Sequence, residues 1–136
     1  MRIFLDTNIL IDIVLNRKPW VEAELVLLEL SRQKKLSLVA SDISFVNLAY
    51  VLRKAMSSTD LYSTMTDMLK YISVAAAGES IIREAVSLRW KDMEDCVQYL
   101  SARQAGTDCI ISRNVTDFAE ADIPVMTPVE FLSTIL

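Results

Sequence analysis

Five side chains stand where a chain of alternating strands and helices would gather them. Asp6 ends the first apolar run, residues 2–5. Asp92 and Asp95 open a helix, and Asn114 and Asp117 follow the apolar run Cys109-Ile110-Ile111-Ser112. In parallel α/β proteins ligands bind beyond the carboxyl ends of the strands, which is where Asp6 and Asp117 fall. Asp92 and Asp95 are three residues apart, so they project from neighbouring positions on one helix face. Carboxylates crowded in this way repel and take up protons unless a counter-charge is present, and a divalent cation is their natural resident. Asp and Asn oxygens without His or Cys suit Mg²⁺ or Mn²⁺ rather than Zn²⁺. Taken singly, each acid also has a structural explanation: Asp6 or Asp92 caps a helix, and Asp117 begins a turn.

Composition narrows the chemistry. The 136 residues contain no histidine, which removes His-dependent triads and His-ligated metals, and only two glycines, Gly78 and Gly106, so no phosphate-cradling glycine loop can be built. Cys96 and Cys109 lack CxxC spacing and lie among apolar neighbours, as buried free thiols do. Apolar residues make up 52%, enough for a real core in one domain spanning residues 1–136. Glu22, Glu24, Glu29 and Asp42 interrupt the richest stretches, and an acid at position 6 breaks any signal-like start. No membrane span is expected, and a cytoplasmic location is. The net charge of −4 does not mark a nucleic-acid binder by itself, but Arg17-Lys18, Lys34-Lys35 and Arg53-Lys54 are local basic pairs.

The elements that must position the acids follow from periodicity. Residues 2–5, 37–40, 71–75, 109–112 and 125–126 read as strands. Helices are expected after Asp6; from Pro19, carrying Trp20, Ala23, Leu27 and Leu30; after a Ser41 or Asp42 cap; and over residues 61–70, 80–89 and 93–104. Thr127-Pro128-Val129-Glu130 is a capping box that opens a last helix. Strands alternating with helices, with two-sided apolar runs, imply a parallel sheet flanked by helices in a single α/β domain.

The same residues carry a family resemblance. Asp6-Thr7-Asn8-Ile9-Leu10-Ile11-Asp12 resembles the opening motif of PIN domains. Asp92-Met93-Glu94-Asp95-Cys96-Val97-Gln98 is similar to the family's D-x-E-D-A helix start. Asp108-Cys109-Ile110-Ile111-Ser112-Arg113-Asn114, followed by Asp117-Phe118, resembles its closing strand and T-R-N-x-x-D-F. The three occur in the family's order and spacing along essentially the whole chain. The resemblance implies an α/β/α sandwich with an acidic pocket for Mg²⁺ or Mn²⁺, and hydrolysis of RNA phosphodiester bonds. It also implies kinship with toxins that pair with a small antitoxin, with homodimers common. Asp6, Asp95 and Asp117 match family acids, Asn8 and Asn114 match supporting polar positions, and Asp92 is an extra or outer metal ligand.

One position departs. Where the family carries S-x-x-T-x-x-E, Ser41-Asp42-Ile43-Ser44-Phe45-Val46-Asn47 places Asn47, an uncharged amide ligand, in the glutamate's position. The alternative that follows is a PIN-like module that binds RNA or protein without catalysis, with an apolar groove along residues 20–30. A phosphatase with Asp6 as nucleophile is a further alternative, but Asn8 stands where its second Asp belongs. Arg113 or Arg17-Lys18 would contact phosphate. Asp12 lies further along the helix, so Asp12→Asn is expected to leave activity nearly unchanged.

Overall fold

In the computed structural model, which describes residues 1–136, the chain runs β1 (Arg2–Leu5), α1 (Thr7–Leu15), α2 (Val21–Arg32), β2 (Ser37–Ser41), α3 (Asp42–Leu52), α4 (Ser58–Met68), β3 (Ile72–Ala75), α5 (Gly78–Leu88), α6 (Met93–Gln104), β4 (Cys109–Ile111), β5 (Val125–Met126) and α7 (Pro128–Ile135). The five strands form one sheet in the order β3-β2-β1-β4-β5, and every pairing is parallel. From β1 the chain first builds outward through β2 and β3, then returns to build β4 and β5 on the other side. The sheet's switch point is therefore the crevice between β1 and β4, where a parallel sheet binds its ligand.

Side-chain alternation divides the core. Ile3, Leu5, Leu38, Ala40, Cys109 and Ile111 face the buried sides of α1 to α4 and α7, while Phe4, Val39 and Ile110 face α5 and α6. The α/β/α sandwich expected from the apolar runs is the architecture found. No helix is long and apolar enough to cross a membrane. Both cysteines are buried free thiols.

Local chemistry sets the element ends. Asp6, Ser41, Ser57, Asp92 and Thr127 each accept a backbone N–H at a helix start, and Thr127 with Glu130 completes the capping box. Ser57 starts α4 at residue 58, ahead of the expected Leu61, because its hydroxyl captures the Asp60 N–H at 3.2 Å. Pro19 lies in a turn two residues before α2 instead of opening it. A 3₁₀ turn, Val115–Phe118, follows β4 where periodicity predicts no element. Strand β4 itself ends at Ile111, one residue short of the expected Ser112.

Asp12 has a structural role that its place further along the helix did not suggest. It is fully buried and holds Arg113 at 2.6 Å and 3.2 Å, with Arg17 at 3.9 Å. The Arg113 guanidinium also lies 4.1 Å from the Trp20 ring centroid. Arg113 is thus committed to fastening the loop after β4 onto α1 and is not free for phosphate. Glu24 on α2 is fully buried beside this pair, and neither carboxyl oxygen has a conventional partner. Burial first, then the proximity of Asp12, pushes Glu24 well above the usual carboxylate range. A neutral Glu24 removes the like-charge repulsion that an ionised pair would suffer beside the buried Asp12. Asp12→Ala should therefore cost about 3 kcal/mol by stranding Arg113, whereas Glu24→Gln, which stays neutral and keeps a donor, should cost under about 1 kcal/mol. Urea denaturation of the two variants measures this, and equal losses would contradict it.

Candidate active site

Asp6 leaves the carboxyl end of β1 with its backbone N–H still bonded to the Ile111 carbonyl of β4, 3.0 Å away. The strand ladder therefore places Asp6 in the switch-point crevice. Its Oδ1 accepts the Thr7 N–H at 2.7 Å, capping α1, and its Oδ2 accepts the Ser112 hydroxyl at 2.7 Å. Ser112 also accepts the Asn114 N–H at 3.0 Å, so one hydroxyl holds the acid and shapes the loop toward Asp117.

Behind Asp6 lies a buried polar network that the sequence does not announce. Gln98 on α6 is fully buried and donates to Ser44 Oγ at 2.6 Å, to Thr7 Oγ1 at 3.1 Å and, at 3.5 Å, to Asp6 Oδ1. Its Oε1 accepts the Ser41 hydroxyl at 2.5 Å. Thr7 and Ser44 share a hydrogen bond of 2.7 Å, and Ser41 caps α3 through the Ser44 N–H. One amide thus ties together α1, the β2–α3 junction and α6. In the sequence its members show only as spacings, Ser41 and Ser44 three residues apart across a helix start and Gln98 three after Asp95 on the same helix face, and neither spacing names the partner.

Asp95 and Asp117 stand at the rim. Asp95 is half-buried in the first turn of α6, and its N–H donates to the capping Asp92 Oδ1 at 3.1 Å. Asp117 is exposed in the 3₁₀ turn. Burial first, then the charges of Asp92, Asp6, Asp117 and Glu94, raise Asp95 to about 7. Burial also raises Asp6, against the lowering effect of its Ser112, Thr7 and Gln98 hydrogen bonds. Asp6, Asp92 and Asp117 therefore all lie within electrostatic reach of Asp95. As the side chains stand, no three of them close around a single ion.

The amides divide. Asn8 has a buried Oδ1 with no hydrogen-bond partner within the protein. Asn114 is exposed and acts through its backbone, receiving the Asp117 N–H on its carbonyl at 3.0 Å. Asn47 has no bond to Asp6. Its Nδ2 donates to Glu94 Oε1 at 3.1 Å across the gap between α3 and α6. Glu94, which stands in the sequence only as part of a motif, thus supplies a carboxylate beside the amide that replaces one.

The chain is similar to known proteins in sequence and in fold. A family profile described as PIN domain matches residues 2–116. Ribonuclease VapC1 from Aquifex aeolicus (strain VF5) is 30% identical over 139 residues, covering 96% of this chain and 92% of that protein. A solved toxin-antitoxin complex from Klebsiella pneumoniae aligns with TM-score 0.66 and 25% identity, covering 92% of this chain and 96% of its own. VapBC2 from Rickettsia felis, solved on a DNA fragment from its promoter, aligns with TM-score 0.69, covering 93% and 97%; at 16% identity that likeness concerns the fold.

The raised Asp95 gives a sign for stability. Its carboxyl goes from 3.8 in the unfolded chain to about 7 in the fold, so between those values the folded state holds the extra proton. The stability this proton represents is fully present below about pH 4 and is lost as pH rises through about 7. In chelator, Asp95→Asn should stabilise the protein by about 1–2 kcal/mol at pH 8, after allowance for solvent screening of a partly exposed group, and should change little at pH 4. Thermal melts at the two pH values measure it; an equal gap at both would contradict the assignment.

Proposed function

The chain belongs to the PIN domain family, and on that premise we propose that it is a metal-dependent endoribonuclease, the toxin of a toxin–antitoxin pair. The observation that carries the reading is the buried Asp6, bound through both oxygens at the switch point, with Asp95 and Asp117 at its rim. The relative named Ribonuclease VapC1 supports the activity, and the toxin–antitoxin complex supports the partner.

The residues fit a hard divalent cation. The donors are all oxygen, their mutual repulsion awaits a counter-charge, and Asn8 Oδ1 is an orphan acceptor. Asp6, Asp95 and Asp117 would hold Mg²⁺ or Mn²⁺, with Asp92 and the Asn47–Glu94 pair on the flanks. Bound there, the ion supplies charge that lowers the pKa of a coordinated water and screens the phosphate under attack. Asp6 is fixed by its network and sets the position. Asp95 and Asp117, less constrained, can turn toward it. Asn8 Oδ1 would accept a hydrogen bond from the attacking water and orient it, Asn114 shapes the loop that carries Asp117, and a rim carboxylate would take the one proton released.

Asn47 opens the alternative of a binding-only module. Its contact with Glu94 favours the hydrolase, because a carboxylate remains on the flank where the family glutamate is missing. For the antitoxin, the outward side of α3 offers Val46 and Tyr50, 69% and 64% exposed. In the residue 20–30 stretch, Trp20, Leu25 and Val26 are exposed but Val21 and Leu27 are core, so that stretch offers scattered apolar side chains. A homodimer and a cytoplasmic location belong with the same reading.

Purified protein should cleave RNA with Mg²⁺ or Mn²⁺ and lose that activity in chelator. Asp6→Asn, Asp95→Asn and Asp117→Asn should each lower the rate by at least about a hundredfold, as expected of groups that act on transition-state charge. Full activity in chelator, or in any of these variants, would contradict the assignment.

A further inference from the structure

The acids must attract a polyanion, yet most cations of this chain are spoken for or misplaced. Arg113 and Arg17 are bound to Asp12, and Arg103 to Glu84. Lys34 and Lys35 line a cavity with Met1 and Ser37, at the amino ends of the strands and so at the opposite end of the sheet from Asp6. Arg89 and Lys91 differ. They line the same cavity as Asp92, Asp95 and Asp117, with a volume of about 460 Å³, and neither takes part in an ion pair. That volume lies within the range of small-ligand sites.

Between them Trp90 lines the cavity too, its ring stacked on Tyr99 with centroids 5.3 Å apart and planes 11° from parallel. Tyr99 is in turn fixed by its hydroxyl on Asp122 at 2.5 Å, so the indole rests on a rigid support. Arg89 terminates α5 in the left-handed region, φ 55°, a position that favours glycine. A long cationic side chain stands at that position, against the backbone preference. Asp92, Asp95, Asp117 and Glu120 line the same cavity, and a divalent ion held by the acids would balance the charge that the two cations leave.

Resting on the ribonuclease reading, we propose that Arg89, Trp90 and Lys91 form a substrate lip. On it the two cations bind phosphates beside the scissile one, and Trp90 stacks an unpaired base of the RNA. Aromatic stacking requires a base that is free of its own helix, and flanking cations track the backbone without reading sequence.

The test is fluorescence anisotropy of a labelled 12-nucleotide single-stranded RNA on the Asp95→Asn protein in Mg²⁺, across a salt series. Arg89→Gly with Lys91→Ala should weaken binding at least about tenfold at 0.1 M salt. The slope of log affinity against log salt should fall by about 1.4, about 0.7 for each phosphate no longer neutralised. Because position 89 suits glycine, the melting temperature should hold or rise. Trp90→Leu should weaken binding at least about fivefold with the slope unchanged. If the wild-type protein cleaves RNA and the double variant binds with unchanged affinity and slope, the lip is overturned and the ribonuclease reading stands. If the wild-type protein neither binds nor cleaves RNA, both fall.

Discussion

The fastening of the Asp6 carboxylate is the constraint from which the site follows. A charged group at the carboxyl edge of a buried sheet is expensive unless each oxygen is met, and here a backbone N–H, a serine hydroxyl and a glutamine amide meet them. Those donors come from α1, β4's exit and α6, so the interaction that tolerates the acid also fixes the elements that carry the others. Gln98 is the hinge of this arrangement: its amide donates toward Thr7 and Ser44 and accepts from Ser41, leaving no polar atom idle. The same rigidity leaves an electrostatic imbalance outside the network, where Asp95 and Asp117 have each other's charge and few donors.

A second fastening lies on the far side of α1. Arg113, bound to Asp12 and resting on Trp20, locks the loop after β4 one residue beyond Ser112. The loop that presents Asp117 is therefore held at Ser112 from the crevice and at Arg113 from the helix. Arg113 looks like a phosphate ligand by type alone, yet it is structural because a fully buried carboxylate claims it.

Much of this is legible in the chain. Alternating strand and helix patterns imply the parallel sandwich, and the rule that ligands sit beyond strand carboxyl ends selects Asp6 and Asp117. The capping box at Thr127 and the cap at Asp92 are readable because N-caps act within three residues. What stays hidden acts over long separations through ordinary residue types. Gln98 meets Asp6 across 92 positions, Ser112 meets it across 106, and Arg113 meets Asp12 across 101. A serine or glutamine in an apolar helix carries no periodic signature of its partner, so such pairings emerge only once the fold brings them together. Asn47 reads as a ligand for the same reason, since its contact with Glu94 spans two helices.

The central claim is that the Asp6 crevice is built for a divalent cation, and calorimetric titration with Mn²⁺ at pH 7 tests it most directly. Binding should expel protons, since Asp95 holds one in part at that pH, so the measured heat should vary with the ionisation enthalpy of the buffer. Asp6→Asn should weaken the affinity by at least about tenfold, in line with the loss of one carboxylate next to a partly screened ion. Equal Mn²⁺ affinity in the wild type and Asp6→Asn, with no buffer dependence in either, would contradict the account.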